Sequence, residues 1–191
     1  MLHLVIGDCS SLTSITLPDS VTRLEGIPFE NCTNLSTIVI GSGLEGGINP
    51  SIFMNCPRIS NITVSPNNPT YDSRDNCNAV VKTALDAIVL GSNNMTIPNG
   101  IKILSGIDGF AELGAITIPS SVTSIAEFTF FGCINLANVT CLATTPPEVD
   151  YDSLGGGGFN PSAIYVPSGS VDAYKSTPGW SQYASVIRAI E

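Results

Sequence analysis

The stretch LTSITLPDSVT at residues 12–22 recurs as LGAITIPSSVT at residues 113–123, which lies 101 positions later. Between these copies the pattern repeats at a shorter distance, because Ile15, Ile38 and Ile62 are spaced 23 and 24 residues apart. A fixed period of roughly 20–30 residues is typical of proteins built from stacked repeats. The sequence therefore predicts a single solenoid, in which successive coils place equivalent residues next to one another.

The composition argues against several classes of function. The chain of 191 residues has 16 acidic and 7 basic residues, a net charge of −9 and a pI near 4.3. Nucleic-acid binding depends on clustered Lys and Arg, and the few basic residues are scattered along this chain. No stretch approaches the ~18 apolar residues that span a bilayer. We expect neither a nucleic-acid partner nor a membrane-spanning segment.

Each repeat opens with a short alternating triplet, such as ITL at residues 15–17 or ITI at residues 116–118. In a strand, the outer two residues point to one face and the middle residue to the other. Parallel stacking then buries the outer residues and aligns the middle ones on the solvent side. We call these middle residues the threonine row: Thr16, Val39, Thr63, Thr96, Thr117, Thr140 and Tyr165. The first six are the predicted binding residues.

The residues after each triplet predict how the coil turns. A proline such as Pro18, Pro98 or Pro119 ends the strand, because proline cannot donate to the ladder. An aromatic residue such as Phe29 or Phe130 follows on the convex side, in a context that allows at most a turn or two of helix. The predicted fold is a mostly β, α/β-type solenoid, right-handed, with one parallel sheet and a short 3₁₀ or irregular convex side.

Departures from the period divide this single domain, residues 1–191, into parts. The predicted parts are a partial repeat (1–11), repeats (12–64), an insertion with a hairpin (65–94), further repeats (95–154) and a C-terminal cap (155–191). The partial repeat suggests that the chain begins within a repeat of a longer protein. The cap is predicted from a short helix with aromatic residues, since the last coil of a repeat array needs a cover.

Four of the six cysteines occupy one phase of the repeat, just before the turn into the next strand: Cys9, Cys32, Cys56 and Cys133. Cysteine packs well as a small buried hydrophobe, and a set that follows the repeat is more typical of core than of crosslinks. We therefore predict buried thiols at these positions. The cysteine pattern does not decide between an oxidising and a reducing compartment.

The residues that often carry chemistry do not form a recognisable site. The single histidine, His3, has no nearby partner for a nucleophilic system. Asp72, Asp75 and the acidic residues at 148–152 match no complete calcium loop, and the glycines at 155–158 lack the Lys-Ser/Thr of a phosphate loop. We predict no catalytic residue, metal or cofactor, and solvated turn residues instead of a glycosidase pair.

The pattern L-x-x-I-x-[LI]-P-x-x-V-x-x-[LI]-x-x-x-x-F-x-x-C, with the segments 71–81 and 164–180, resembles the BspA-type leucine-rich repeat. The resemblance covers nearly the whole chain and implies a secreted or cell-surface protein of gut or oral bacteria. It also implies a non-catalytic binding or adhesion module, whose partner is a host extracellular protein or glycan. The alternative is a structural spacer within a larger surface protein. No family motif for a ligand is visible, so no binding residue is carried over.

Overall fold

The alternating triplets of the N-terminal repeats form a parallel sheet. In a computed structural model of the chain, strands β1 (Ser14–Leu17), β2 (Thr37–Ile40) and β3 (Asn61–Val64) lie side by side in that order. Equivalent residues such as Ile15 and Ile38 pair directly, in the register that the repeat period requires. The side chains that point away from solvent form the start of a continuous apolar core.

The structure describes residues 7–150, 152–154 and 158–191. His3 and most of the partial repeat predicted at 1–11 lie outside these ranges. Part of the glycine run predicted to lead into the cap, residues 155–157, also lies outside them.

Asparagine side chains join successive repeats at the turns. The backbones of Asn31 and Asn55 are left-handed, with φ of 60° and 58°, a conformation that Asn adopts more readily than most residues. Asn55 Nδ2 donates to Asn31 Oδ1 at 2.8 Å, and Asn31 Nδ2 donates to Asp8 Oδ1 at 2.9 Å. Because these bonds link equivalent positions of neighbouring repeats, they support the same stacking as the strands.

Phenylalanines stack in the connections between the parallel strands. The rings of Phe29 and Phe53 lie nearly parallel with centroids 5.1 Å apart, and those of Phe130 and Phe159 are 5.5 Å apart. All four side chains are buried. The chain beside Phe53 forms one short 3₁₀ helix, Pro50–Phe53. Large apolar side chains from these connections thus form part of the core.

The insertion at 65–94 forms an antiparallel unit beside β3. Strand β4 (Tyr71–Asp72) pairs with β5 (Val80–Lys82), and β5 pairs with β6 (Ala87–Leu90). The turn between β5 and β6 contains a 3₁₀ helix, Thr83–Leu85, and ends at Asp86 with φ of 47°. The two apolar runs on either side of this turn therefore lie together as a hairpin.

The remaining strands build two sheets. They are β7 (Ile103–Leu104), β8 (Ala115–Ile118), β9 (Ser124–Ile125), β10 (Asn138–Cys141), β11 (Glu148–Val149), β12 (Ala163–Val166) and β13 (Ile187–Ala189). Strands β8, β10, β12 and β13 form a second parallel sheet in that order. Strands β7, β9 and β11 extend the insertion's sheet, because β7 pairs in parallel with β6.

The prediction of one parallel sheet is wrong, since the described ranges of the chain contain three sheets. The triplet at residues 95–97, which was predicted as a strand, forms none. The end of the insertion takes the place of the next repeat: the Asn93 N–H donates to the Ile59 carbonyl at 2.9 Å, and its Nδ2 donates to the Pro57 carbonyl at 2.6 Å. The ladder of repeat strands therefore stops at β3 and resumes at β8.

The C-terminal segment packs against the end of the second sheet. It contains helix α1 (Val171–Ser176), and its Tyr174 and Trp180 are fully buried, with ring centroids 5.0 Å apart in an edge-to-face arrangement. The Tyr174 hydroxyl donates to the Ala143 carbonyl and Trp180 Nε1 donates to the Pro147 carbonyl, both at 2.9 Å. Each aromatic residue is therefore buried with its polar group satisfied.

The cysteines of the shared phase are mostly buried, as predicted. Cys32, Cys56 and Cys133 are buried, whereas Cys9 is half-buried. The Cys56 thiol donates to the Phe29 carbonyl of the preceding repeat at 3.0 Å. Burial raises the pKa of Cys56 to about 11 and the pKa of Cys133 to about 12. Both thiols therefore stay protonated near neutral pH, which makes them poor nucleophiles.

We expect Trp180→Ala to lower the free energy of unfolding by ~3–5 kcal/mol, because the change removes a buried indole and leaves a cavity beside Tyr174. Urea unfolding followed by circular dichroism measures this loss. Phe131→Ala is the control, since this ring is 48% exposed, and its removal should cost about 1 kcal/mol or less. Equal losses in the two variants would contradict a capping role for Trp180.

The buried thiols predict a loss of stability in alkali. The pKa of Cys133 is raised from 9.0 to about 12, so its contribution is fully present below pH 9.0 and is lost as the pH rises toward 12. Urea unfolding at pH 7, 8, 9 and 10 should give a constant free energy of unfolding up to pH 8 and a falling one above pH 9. Cys133→Ala should lower the starting value but flatten this dependence. An unchanged slope in the variant would assign the effect to other groups.

Candidate binding surface

The threonine row is divided between the two parallel sheets. In the first sheet, Thr16 pairs with Val39 and Val39 pairs with Thr63, and all three side chains are exposed. In the second sheet, Thr117 pairs with Thr140; Thr117 is exposed and Thr140 is half-buried. The alternation of each strand thus turns these five residues to solvent while their neighbours enter the core.

Tyr165, the last residue of the row, and Arg188 beside it complete the second part. Thr140 pairs with Tyr165 on β12, and Tyr165 pairs with Arg188 on β13. The Tyr165 side chain is half-buried and Arg188 is exposed. The row therefore ends at a phenol and a guanidinium group that belong to the C-terminal segment.

Thr96 lies in neither sheet, although its side chain is exposed. Its N–H donates to the Cys77 carbonyl of the insertion at 3.0 Å. Within the described residues, no backbone hydrogen bond joins residues 95–97 to β8. The structure therefore brings the predicted binding residues together in two groups, with Thr96 attached to the insertion between them.

The exposed face of the two parallel sheets is almost free of charge. Their seven strands contain one charged residue, Arg188, although the whole chain has a net charge of −9. The solvent-facing positions carry hydroxyl, amide and small apolar groups instead, at Ser14, Thr16, Asn61, Thr63, Ala115, Thr117 and Asn138. Such groups donate and accept neutral hydrogen bonds, so this face suits a neutral polar ligand better than an ion.

An ion-pair cluster holds the insertion together beside this face. Arg74 Nε and Nη2 bond to the Asp72 carboxylate at 2.6–3.1 Å, and Arg74 Nη1 bonds to Asp86 Oδ1 at 2.9 Å. Burial by itself would raise the pKa of Asp72, but the hydrogen bonds from Arg74 outweigh it and lower that pKa. The arginine thus ties the first strand of the insertion to the hairpin turn.

The acidic residues considered in the sequence are paired or exposed, except for Asp152, which is half-buried. Asp72 is bonded to Arg74, and Asp75, Glu148 and Asp150 are exposed. In the ranges that the structure covers, no three His, Cys, Asp or Glu side chains come together as metal ligands would. No helix in these ranges is both long enough and apolar enough to cross a membrane.

A groove of about 360 Å³ separates residues 95–97 from β8, and we call it the sheet gap. Its walls include Thr96, Thr117 and Leu142, and the Leu142 side chain is 41% exposed. Sequence reasoning missed Leu142 and the gap. A signal was available, because the equivalent triplets at 95–97 and 116–118 lie 21 positions apart instead of 23 or 24.

A second groove, of about 510 Å³, lies on the phenylalanine side between Phe53 and Phe110. It is lined mainly by apolar groups and includes Asp108, whose pKa is raised by burial. Among the described aromatic residues, no ring contact continues the Phe29–Phe53 stack to Phe110. The stack of phenylalanines is therefore interrupted in the same part of the chain as the parallel sheet.

Comparisons with known proteins agree with this repeat organisation. Residues 6–102 and 108–152 match the family model of the BspA type leucine rich repeat region, in six copies. A leucine-rich repeat protein from Eubacterium ventriosum has a similar solved structure, with 20% identity and a TM-score of 0.52 over 85% of this chain and 52% of that chain. No curated protein sequence matches this chain.

Two other solved structures are similar at lower scores. A leucine rich cell surface protein from Faecalibacterium prausnitzii is 18% identical, with a TM-score of 0.49 over 93% of this chain and 59% of that chain. The pneumococcal vaccine antigen PcpA is 12% identical, with a TM-score of 0.45 over 95% of this chain and 68% of that chain. The chain spans about half the length of the Eubacterium protein and a little more of the Faecalibacterium protein.

The ion-pair cluster generates a prediction for the insertion. We expect Arg74→Met to speed amide exchange in β4–β6 roughly tenfold, because Asp72 and Asp86 lose a charged hydrogen-bond donor. Since the pKa of Asp72 is lowered in the folded state, this stabilisation is present above its ordinary pKa of 3.8 and is lost as the pH falls below it. Hydrogen exchange followed by mass spectrometry measures the effect.

Arg23→Met is the matched control for this change. The Arg23 side chain is 66% exposed and lies 3.6 Å from Glu25, so its loss should leave exchange in the insertion unchanged. Faster exchange in both variants would mean that overall charge, and not the Arg74 cluster, stabilises the insertion.

Proposed function

This chain belongs to the BspA type leucine-rich repeat family, and from that premise we propose that it is a non-catalytic binding module. Its partner is a host extracellular protein or glycan, bound on the exposed face of the two parallel sheets and on the adjoining insertion. In this proposal the whole chain is one repeat domain, a right-handed solenoid that ends in the C-terminal cap.

The observation that carries the proposal is the neutrality of the sheet face within an acidic chain. A net charge of −9 is distributed over 191 residues, yet Arg188 is the single charged residue in the seven strands. Charged side chains keep a protein surface hydrated, whereas hydroxyl and amide groups are released from water at lower cost. A face of Thr, Ser and Asn is therefore suited to close contact with an uncharged polar ligand.

The insertion adds irregular structure beside this regular face. Recognition usually concentrates in such segments, because they vary in shape while a rigid scaffold positions them. Here the Arg74 cluster holds the insertion together, and the Asn93 bond to the turn before β3 attaches it to the first sheet. Thr63 and Thr117 lie on the strands that flank it, so we propose that they form the centre of the binding surface.

Membership of the family supports a location of the proposed module at the cell surface or outside the cell. The regular stacking of β1–β3 also fits the alternative role of a structural spacer, because a ladder of equivalent repeats keeps its two ends at a fixed separation. The two roles differ in one respect: a spacer needs no ligand on its neutral face.

A binding assay on the sheet face tests the proposal. The wild-type chain is applied to a glycan array and to a panel of immobilised extracellular-matrix proteins. We expect the variant Thr63→Lys/Thr140→Lys to weaken any binding found at least tenfold, because each lysine puts a hydrated charge into the neutral contact. The melting temperature should stay nearly unchanged, since the Thr63 side chain is exposed and Thr140 half-buried.

Thr145→Lys is the matched control, because Thr145 is exposed and lies outside the strands. It adds the same charge and should leave binding unaffected. Binding that survives the double variant would contradict the proposed site. An array and a panel that both stay blank with the wild-type chain would favour the spacer.

A further inference from the structure

The inner edge of the second sheet is left open at the sheet gap. The Asn138 and Leu142 N–H groups donate to the carbonyls of Gly114 and Ile118, which places the even-numbered residues of β8 toward β10. In a parallel ladder, alternate residues of a strand bond to opposite neighbours. The N–H and C=O groups of Ala115 and Thr117 therefore point the other way, into the gap.

These edge groups have no hydrogen-bond partner among the described residues. Ala115 and Thr117 each present one donor and one acceptor, and both residues are exposed. An unpaired strand edge of this kind is a ready template for another strand. Unlike a terminal edge, this one faces a second wall of the same molecule.

The two walls of the sheet gap are joined at one end. Asn93 Oδ1 accepts a hydrogen bond from the Glu112 N–H at 3.2 Å, which links the insertion to the turn before β8. Further along, the Thr96 N–H is directed to Cys77 on the insertion side. The walls are therefore held together at the turn and remain apart along the strand.

We propose that the sheet gap binds an extended segment of a partner polypeptide, which adds to β8 as a further strand. This inference deepens the proposed function and rests on it. The backbone of the segment pairs with Ala115 and Thr117, as in other cases where a peptide augments an exposed sheet edge. A polypeptide fits this edge because donors and acceptors alternate along it with the two-residue repeat of an extended backbone, about 6.7 Å.

The side chains around the gap define the chemistry of the segment. Met95, Ile97 and Leu142 are apolar, while Asn99 and Thr117 are polar and uncharged. No charged side chain lines the gap among the residues that the structure describes. The bound segment should therefore be uncharged over the length of β8, which is four residues, with an apolar side chain placed against Leu142.

Amide exchange of the free protein provides the first test. In the free chain, the Ala115 and Thr117 amides should exchange at least tenfold faster than those of Ile116 and Ile118, whose N–H groups are directed to β10. Nuclear magnetic resonance resolves the individual amides. Equal protection of all four would mean that residues 95–97 close onto β8, and this would overturn the proposal.

A peptide selected from a phage library of random linear sequences on the wild-type chain provides the probe for the second test. Ala115→Pro removes a gap-facing N–H but no bond to β10, and it should weaken binding of the peptide at least tenfold. Ser120→Pro is the matched control, because Ser120 is exposed, lies in the turn between Pro119 and Val122 and does not line the gap, so it should change the affinity less than about threefold. An equal loss in Ser120→Pro and Ala115→Pro would assign the effect to the introduction of a proline and contradict strand addition.

N-methylation of the peptide makes the test independent of the fold of the variants. Methyl groups at alternate amides of the peptide should abolish binding, while those at the intervening amides should have little effect. Absence of this two-residue pattern, or a library that yields no binder, would overturn strand addition. If a glycan or matrix protein binds the wild-type chain and this binding is lost in Thr63→Lys/Thr140→Lys, the proposed function would still be supported. A failure of strand addition and a failure of the proposed function are therefore distinguishable.

Discussion

Hydrogen bonding between equivalent positions of successive repeats is the constraint on which the structure depends. The strands pair in parallel with Ile15 beside Ile38, and the turns repeat the same spacing through Asn31 and Asn55. One fixed register therefore decides which side chains enter the core, which phenylalanine rings stack on one another and which side chains face solvent. A slip of one residue within a strand would turn its core side chains to solvent, so the difference between repeats of 23 and 24 residues is accommodated in the connections between the strands.

The insertion shows what happens when that constraint is interrupted. Its end bonds to the turn before β3 through Asn93, and the ladder of repeat strands cannot continue past it. The hairpin instead extends a different ladder, because β6 pairs with β7, β7 pairs with β9, and β9 pairs with β11. The interruption is thus stable, and it leaves the inner edge of β8 without a neighbouring strand.

The proposed binding surface and the sheet gap lie on the same exposed face of the two parallel sheets. Repetition places similar uncharged groups side by side on the two parallel sheets, and this makes an extended surface without any cluster of reactive residues. Specificity must then come from where the repetition fails. The sheet gap and Leu142 are the features that distinguish one part of this face from another, which is why we place the most selective contact there.

The sequence by itself determined the repeat period, the alternation that exposes Thr16, Thr63 and Thr117, and the burial of Cys32, Cys56 and Cys133. These features follow from local spacing, because the same residue pattern recurs in each repeat and stacking gives equivalent residues the same environment. Only the tertiary structure decided that the sheet is divided, that Thr96 belongs to neither part, and that β8 has an open edge. The reason is that these features depend on how the 30-residue insertion bonds to the turns on either side of it. The spacing of 21 residues between the triplets at 95–97 and 116–118 marks a break in the period, but it does not specify this long-range backbone pairing.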